Sequence, residues 1–176
     1  MDASSMPNSQ AEEEWYYRRS GTIMRSPYRL NAHWFVPGLQ EYLAPNAVAE
    51  AARSMGVTDD SVRIVIARAG MIEGLKFAEW EVAVQAAVRG CSLNAGTLRS
   101  LAQSQTILDR MRATTAEFQA FKMTSRPSFL LESNIGDRVV FSGLATIEPL
   151  ESALSALLRD AKAYASYAAH HVSPPE

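Results

Sequence analysis

Few residues in this chain have both the type and the spacing that chemistry requires. Cys91 is the one cysteine, so an intrachain disulfide and a CxxC redox pair are both excluded. It follows Gly90 and precedes Ser92-Leu93. A thiol there can serve in regulation or in a mixed disulfide. The more ordinary use of a free cysteine is as a small buried hydrophobe, and that is the reading adopted, because no Lys or His adjoins it to favour the thiolate. Three histidines remain. His33 sits beside Trp34, and His170-His171 lie at the end of a long helical pattern. Adjacent histidines on a helix point about 100° apart and make a poor chelate, and the spaced Cys/His sets of a metal site are missing, so no metal site is expected. No GxSxG elbow and no GxGxxG or GxxxxGK[ST] phosphate loop occurs in the sequence. No catalytic residue is therefore assigned from motifs, and no cofactor is called for by them.

The elements that would position any site are mostly helical. A stretch at Ala11–Arg19 carries Glu12, Glu13 and Glu14 near its positive end and is expected to stop at Ser20-Gly21. From Thr22 to Leu43 prolines and a glycine break any period, while Tyr28, Trp34, Phe35 and Tyr42 predict a segment that packs. Pro45 opens a helix that Gly56 ends. Thr58 is expected to cap the next helix, with Asp59 and Asp60 in its first turn, a buried stripe of Val62, Val65, Ile66, Ala69 and Ile72, and Gly74 at its close. Glu79–Arg89 is a third, with Gly90 as its stop, and Asn94–Gln103 a fourth. A fifth runs from Ser104 or Gln105 to Phe121. Arg99, Arg110 and Arg112 read as a solvated face. Glu12–Glu14 with Arg18 and Arg19 gives i,i+4 pairing. Trp15-Tyr16-Tyr17 either docks on the chain's own helices or faces a partner.

The pattern changes at Thr124–Gly143, TSRPSFLLESNIGDRVVFSG. Phe129-Leu130-Leu131 and Val139-Val140-Phe141 are short apolar runs separated by Asn134-Ile135-Gly136-Asp137, which is turn chemistry. This predicts a β-hairpin. Its strands are apolar on both faces, as strands buried inside a sheet are. A last helix starts at Ile147-Glu148-Pro149 and carries one wide stripe of Leu150, Leu154, Leu157, Leu158, Ala161, Tyr164, Ala165 and Ala168 out to His170.

The ordered set resembles the C-terminal part of DsbA-like thioredoxin-fold proteins, the group of disulfide oxidoreductases, dithiol isomerases and 2-hydroxychromene-2-carboxylate isomerases. Arg126-Pro127 before the first strand, Asp137 to Leu144 as the second, and Glu148-Pro149-Leu150 opening a long helix carry the resemblance. The stretches from Glu14 to Phe121 look like the family's helical insertion. The implied fold is α/β and helix-rich: an insertion-like helical region at 11–123, then the β-β-α half of a thioredoxin-like fold at 124–171. Flexible tails are expected at 1–10 and 172–176. The family's first strand–helix–strand unit, with its nucleophile, has no counterpart here. The resemblance places a cis-proline at Pro127 and a substrate-binding loop at Ser125, Arg126 and Pro127. It also allows glutathione as a ligand.

Function follows as an expectation. A redox-inactive member of this group acts as a binding or accessory subunit through its helical region and proline loop. The alternative is an oxidoreductase or isomerase whose nucleophile comes from another chain or a missing N-terminal segment. If the parallel strands are absent, an exposed sheet edge implies a protein partner or a homo-oligomer. Net charge is −2 over 176 residues, which gives no electrostatic case for nucleic acid or an acidic membrane. No apolar run nears the roughly 20 residues of a membrane span, and the polar N-terminus is no secretory signal. A cytoplasmic location is the default.

Overall fold

Alanine sets the spacing of the helical core. In a computed structural model of the chain, Ala47, Ala51 and Ala52 on one helix and Ala83 and Ala87 on another have no measurable exposure. Methyl-sized contacts let helix axes approach closely, and Val48, Ile66, Val84, Leu98 and Ile107 fill the space between them. The structure describes residues 7–23, 30–39, 41–125, 127–143 and 146–170. Among them are α1 (Gln10–Ile23), α2 (Ala44–Ser54), α3 (Ser61–Met71), α4 (Trp80–Cys91), α5 (Ala95–Ala102), α6 (Gln105–Ala120), β1 (Ser128–Glu132), β2 (Arg138–Ser142) and α7 (Glu148–His170). Of the tail expected at 1–10, residues 1–6 lie outside the described residues and Gln10 already belongs to α1; the tail expected at 172–176, and Tyr28, Arg126, Leu144 and His171, also lie outside them. The chain divides into two compact units, Met1–Ala113 and Thr114–Glu176.

The first unit is helical. α2 carries Pro45 in its first turn and ends as its sequence predicts. Gly56 takes φ +98°, its N–H donates to the Arg53 carbonyl and the Val57 N–H to that of Ala52. This is a Schellman closure, which favours glycine at the left-handed position. α3 does not use Thr58 as its cap. Asp60 occupies the N-cap position, and Asp59 accepts from the Ser61 N–H and hydroxyl instead. Ile72, expected in the buried stripe, follows the last helical turn and is exposed. Gly74 closes the segment at φ +73°, and a Cβ there would meet the Asn31 side chain at 2.6 Å.

Two expected stops are not stops. α1 runs through Ser20-Gly21 to Ile23, since a single glycine costs only about 1 kcal/mol in a helix. α4 runs through Gly90 to Cys91 and ends at Ser92, which holds the left-handed conformation at φ 50°. Gly90 is there for space. A Cβ on it would lie 2.6 Å from Val65 Cγ1, so glycine lets α3 and α4 come together.

The segment after α1 packs as its aromatics predict. Trp34, Phe35, Tyr42 and Ala78 form a second buried cluster. The Trp34 ring meets Phe77 and Tyr42 edge to face at 5.3 and 5.6 Å. Its indole N–H donates to the Tyr17 hydroxyl at 2.8 Å. The aromatic triplet of α1 therefore splits. Tyr17 docks, while Trp15 and Tyr16 stay exposed, with Arg19 over the Trp15 ring.

The second unit holds the hairpin. β1 and β2 pair antiparallel with Ser128 opposite Ser142, Leu130 opposite Val140 and Glu132 opposite Arg138. Gly136 at φ +94° makes the loop, and the Ser133 hydroxyl gathers the N–H groups of Ile135 and Asp137. The expectation of strands buried on both faces is not met. One face carries Phe129, Leu131, Val139 and Phe141; the other carries Leu130 and Val140 among Ser128, Ser142, Glu132 and Arg138. Glu132 and Arg138 form an ion pair at 3.0 Å across the strands. The stripe on α7 also divides. Leu157 is 9% exposed, whereas Leu154 and Leu158 are 47% and 63% exposed.

Candidate functional site

The loop before β1 is shaped by a hydroxyl on β2. Ser142 Oγ accepts the Thr124 N–H at 2.9 Å and the Ser125 N–H at 3.0 Å. The Ser125 carbonyl accepts from the Ser128 hydroxyl. At the base of the hairpin the Gly143 N–H donates to the Pro127 carbonyl at 3.0 Å. Gly143 sits at φ +79°, and a Cβ on it would come within 2.9 Å of Ser125 Cβ. These contacts extend the antiparallel pairing one step past the last paired residues and fold the loop back on it.

The structure thus brings Ser125 and Pro127 together with three residues that sequence reasoning missed: Ser128, Ser142 and Gly143. The missed signal was register. Once the turn is placed at Ser133–Asp137, Ser128 must face Ser142, and residues 124–127 must run beside 142–143. Ser125 and Pro127 are exposed. Their backbone groups named above are bonded to Ser142, Ser128 and Gly143, and both residues face solvent. Arg126, the third predicted loop residue, lies outside the described residues.

Loop entry is set at the end of α6. The Lys122 N–H donates to the Gln119 carbonyl and the Met123 N–H to that of Phe118. This is the same closure as at Gly56, but Lys122 holds the left-handed position at φ 54°.

Cys91 belongs to the first unit. Its thiol donates to the Ser61 hydroxyl at 3.4 Å, and that hydroxyl donates to Asp59 at 2.5 Å. The Ser61 hydroxyl and N–H hold the Asp59 carboxyl below its ordinary range. The hydrogen bonds therefore run from thiol toward carboxylate, and the rest of Cys91 packs against the alanine core. That is the arrangement of a core-lining thiol.

Two open cavities also lie in this unit. One, of about 450 Å³, is lined by Leu75, Lys76, Glu79, Glu81, Val82, Gln85 and Arg89. Glu81 is engaged there by Arg99 at 2.7 Å and by Gln85 at 3.0 Å. The other, of about 260 Å³, is lined by Glu14, Tyr17, Arg18, Leu30, Asn31, Ala32 and Ile72. Burial and the nearby Glu13 carboxylate both push the Tyr17 hydroxyl well above its ordinary range. Among the described residues no group of three or more His, Cys, Asp or Glu side chains converges as metal ligands would. No described helix is long and apolar enough to cross a membrane.

The chain matches no family model and no curated protein.

Proposed function

We propose that this chain is a binding or accessory subunit whose second unit is completed by another protein. Core distribution carries this reading. Of the buried hydrophobic residues among those described, Leu157 alone lies beyond Ala113. A two-stranded hairpin is marginal in water without a covering layer. This one is accompanied by a long helix on which Leu154 and Leu158 face solvent. The hairpin's apolar face and the open side of the helix are surfaces that a partner would cover.

The β-β-α order of the second unit fits the C-terminal half of a DsbA-like protein, and the chain is then a redox-inactive member of that group. The loop at Ser125–Pro127 would contribute a prearranged edge to the contact. In this reading Cys91 has a packing role, and catalysis is not required of the chain. Reduction of insulin disulfides by the purified protein tests it. No turnover above the uncatalysed rate is expected, and thiol-dependent turnover lost in Cys91→Ala would overturn the reading in favour of an enzyme.

A further inference from the structure

We propose that α7 pairs side by side and antiparallel with α7 of a second copy of this chain. This rests on the reading that the second unit is completed by another protein, and it says which protein. Three observations on one helix carry it.

The first is a seam. Ile147, Glu151, Leu154, Leu158, Ala161, Ala165 and Ala168 recur at alternating intervals of four and three, the repeat of a helix packed along its length on another. Ile147, Leu154, Leu158, Ala165 and Ala168 are exposed. The second is position. Leu157 lies roughly 60–100° around the helix from Leu154 and Leu158, so the seam runs beside the buried stripe without coinciding with it.

The third is charge order. Glu151, the charged position at the edge of the seam, and Glu148 beside it lie toward the start of α7, and Arg159 and Lys162 follow later, all toward the flank turned away from Leu157. Among the described residues none of the four takes part in an ion pair. A two-fold axis near residue 156 sets Leu154 against Leu158 of the partner copy. It brings the acidic start of each flank to the basic stretch of the other. A parallel pair would set acid against acid and base against base, which disfavours that arrangement. Six turns of seam with alanines at one end give a helix pair of modest strength, suited to association that depends on concentration.

Sedimentation equilibrium of the full chain across the micromolar range tests this. A reversible monomer–dimer equilibrium is expected. Glu148→Lys with Glu151→Lys makes the flank wholly basic; Arg159→Glu with Lys162→Glu makes it wholly acidic. Each double variant alone should weaken dimerisation by at least about tenfold, and an equimolar mixture should restore it as a heterodimer. Restoration cannot arise from misfolded chains. A monomer at every concentration, or a dimer indifferent to both charge variants, overturns the proposal. The first of these outcomes leaves open a partner of another kind, which amide exchange in the hairpin of the monomer reads separately.

Discussion

Ser142 holds Ser125: the hydroxyl of one accepts the backbone N–H of the other at 3.0 Å, and the neighbouring Thr124 N–H joins it at 2.9 Å. One side chain at the end of β2 thus holds Thr124 and Ser125, where the chain turns toward β1. Ser142→Ala removes both acceptor interactions and leaves two solvent-accessible donors. The expected cost is about 0.5–1.5 kcal/mol, because water replaces part of what is lost. Amide exchange at Thr124 and Ser125 should accelerate while the amides of α2 and α4 do not change. Unchanged protection at 124 and 125 would show that the hydroxyl does not hold the loop.

The contact of Gly90 with Val65 should be strongly asymmetric under mutation. Gly90→Ala puts a methyl 2.6 Å from Val65 Cγ1 and forces α3 and α4 apart. Overpacking of this kind costs about 1–3 kcal/mol. Val65→Ala in the same chain should recover much of that loss by giving back volume at the same point. The denaturant midpoints of the two single variants and the double variant measure the coupling.

Tyr17 should make stability fall at alkaline pH. Burial, and then the Glu13 carboxylate, raise its folded-state hydroxyl above the unfolded value near about 10. The stabilising contribution is fully present below that unfolded value. It declines as pH rises above it, because the unfolded chain loses its proton first. Lysines titrate in the same range, so the useful quantity is the difference between the wild type and Tyr17→Phe. That difference should shrink with rising pH. At neutral pH the variant should lose about 1 kcal/mol, since the Trp34 indole N–H loses its acceptor.

Lys122 marks a place where the chain can be made more stable. It occupies the left-handed position that closes α6. A side chain there costs about 1 kcal/mol relative to glycine, less the backbone entropy glycine adds to the unfolded state. Lys122→Gly should therefore raise stability by a few tenths of a kcal/mol to about 1 kcal/mol, read as slower exchange at Met123 and Thr124. Faster exchange there would mean that the lysine side chain makes a compensating contact.

Much of the architecture is legible in the sequence because it is local. Pro45 and Gly56 bracket α2, Asn94 receives the Thr97 N–H at the start of α5, and the Asn/Gly/Asp loop sets the hairpin. Features that depend on a distant neighbour are not legible. Gly90 has the local signature of a helix stop, yet its role is decided by Val65 on another helix. The stripe on α7 looks continuous in sequence; its division between Leu157 and the Leu154–Leu158 side depends on what packs against it. Of the candidate loop, Ser125 and Pro127 are singled out by the family resemblance alone, not by local sequence chemistry. Ser142 becomes visible only when the strand register is known. The apolar runs of the hairpin suggest burial on both faces, but register assigns serines and an ion pair to one of them.

We propose that the second unit has too little core to hold itself together and that a partner completes it. Hydrogen exchange of the chain at the lowest workable concentration tests it most directly. Amides of β1 and β2 are expected to open at a free energy well below that of amides in α2, α3 and α4, and to gain protection as concentration rises. Hairpin amides as protected as those of the alanine core, at every concentration, would contradict it.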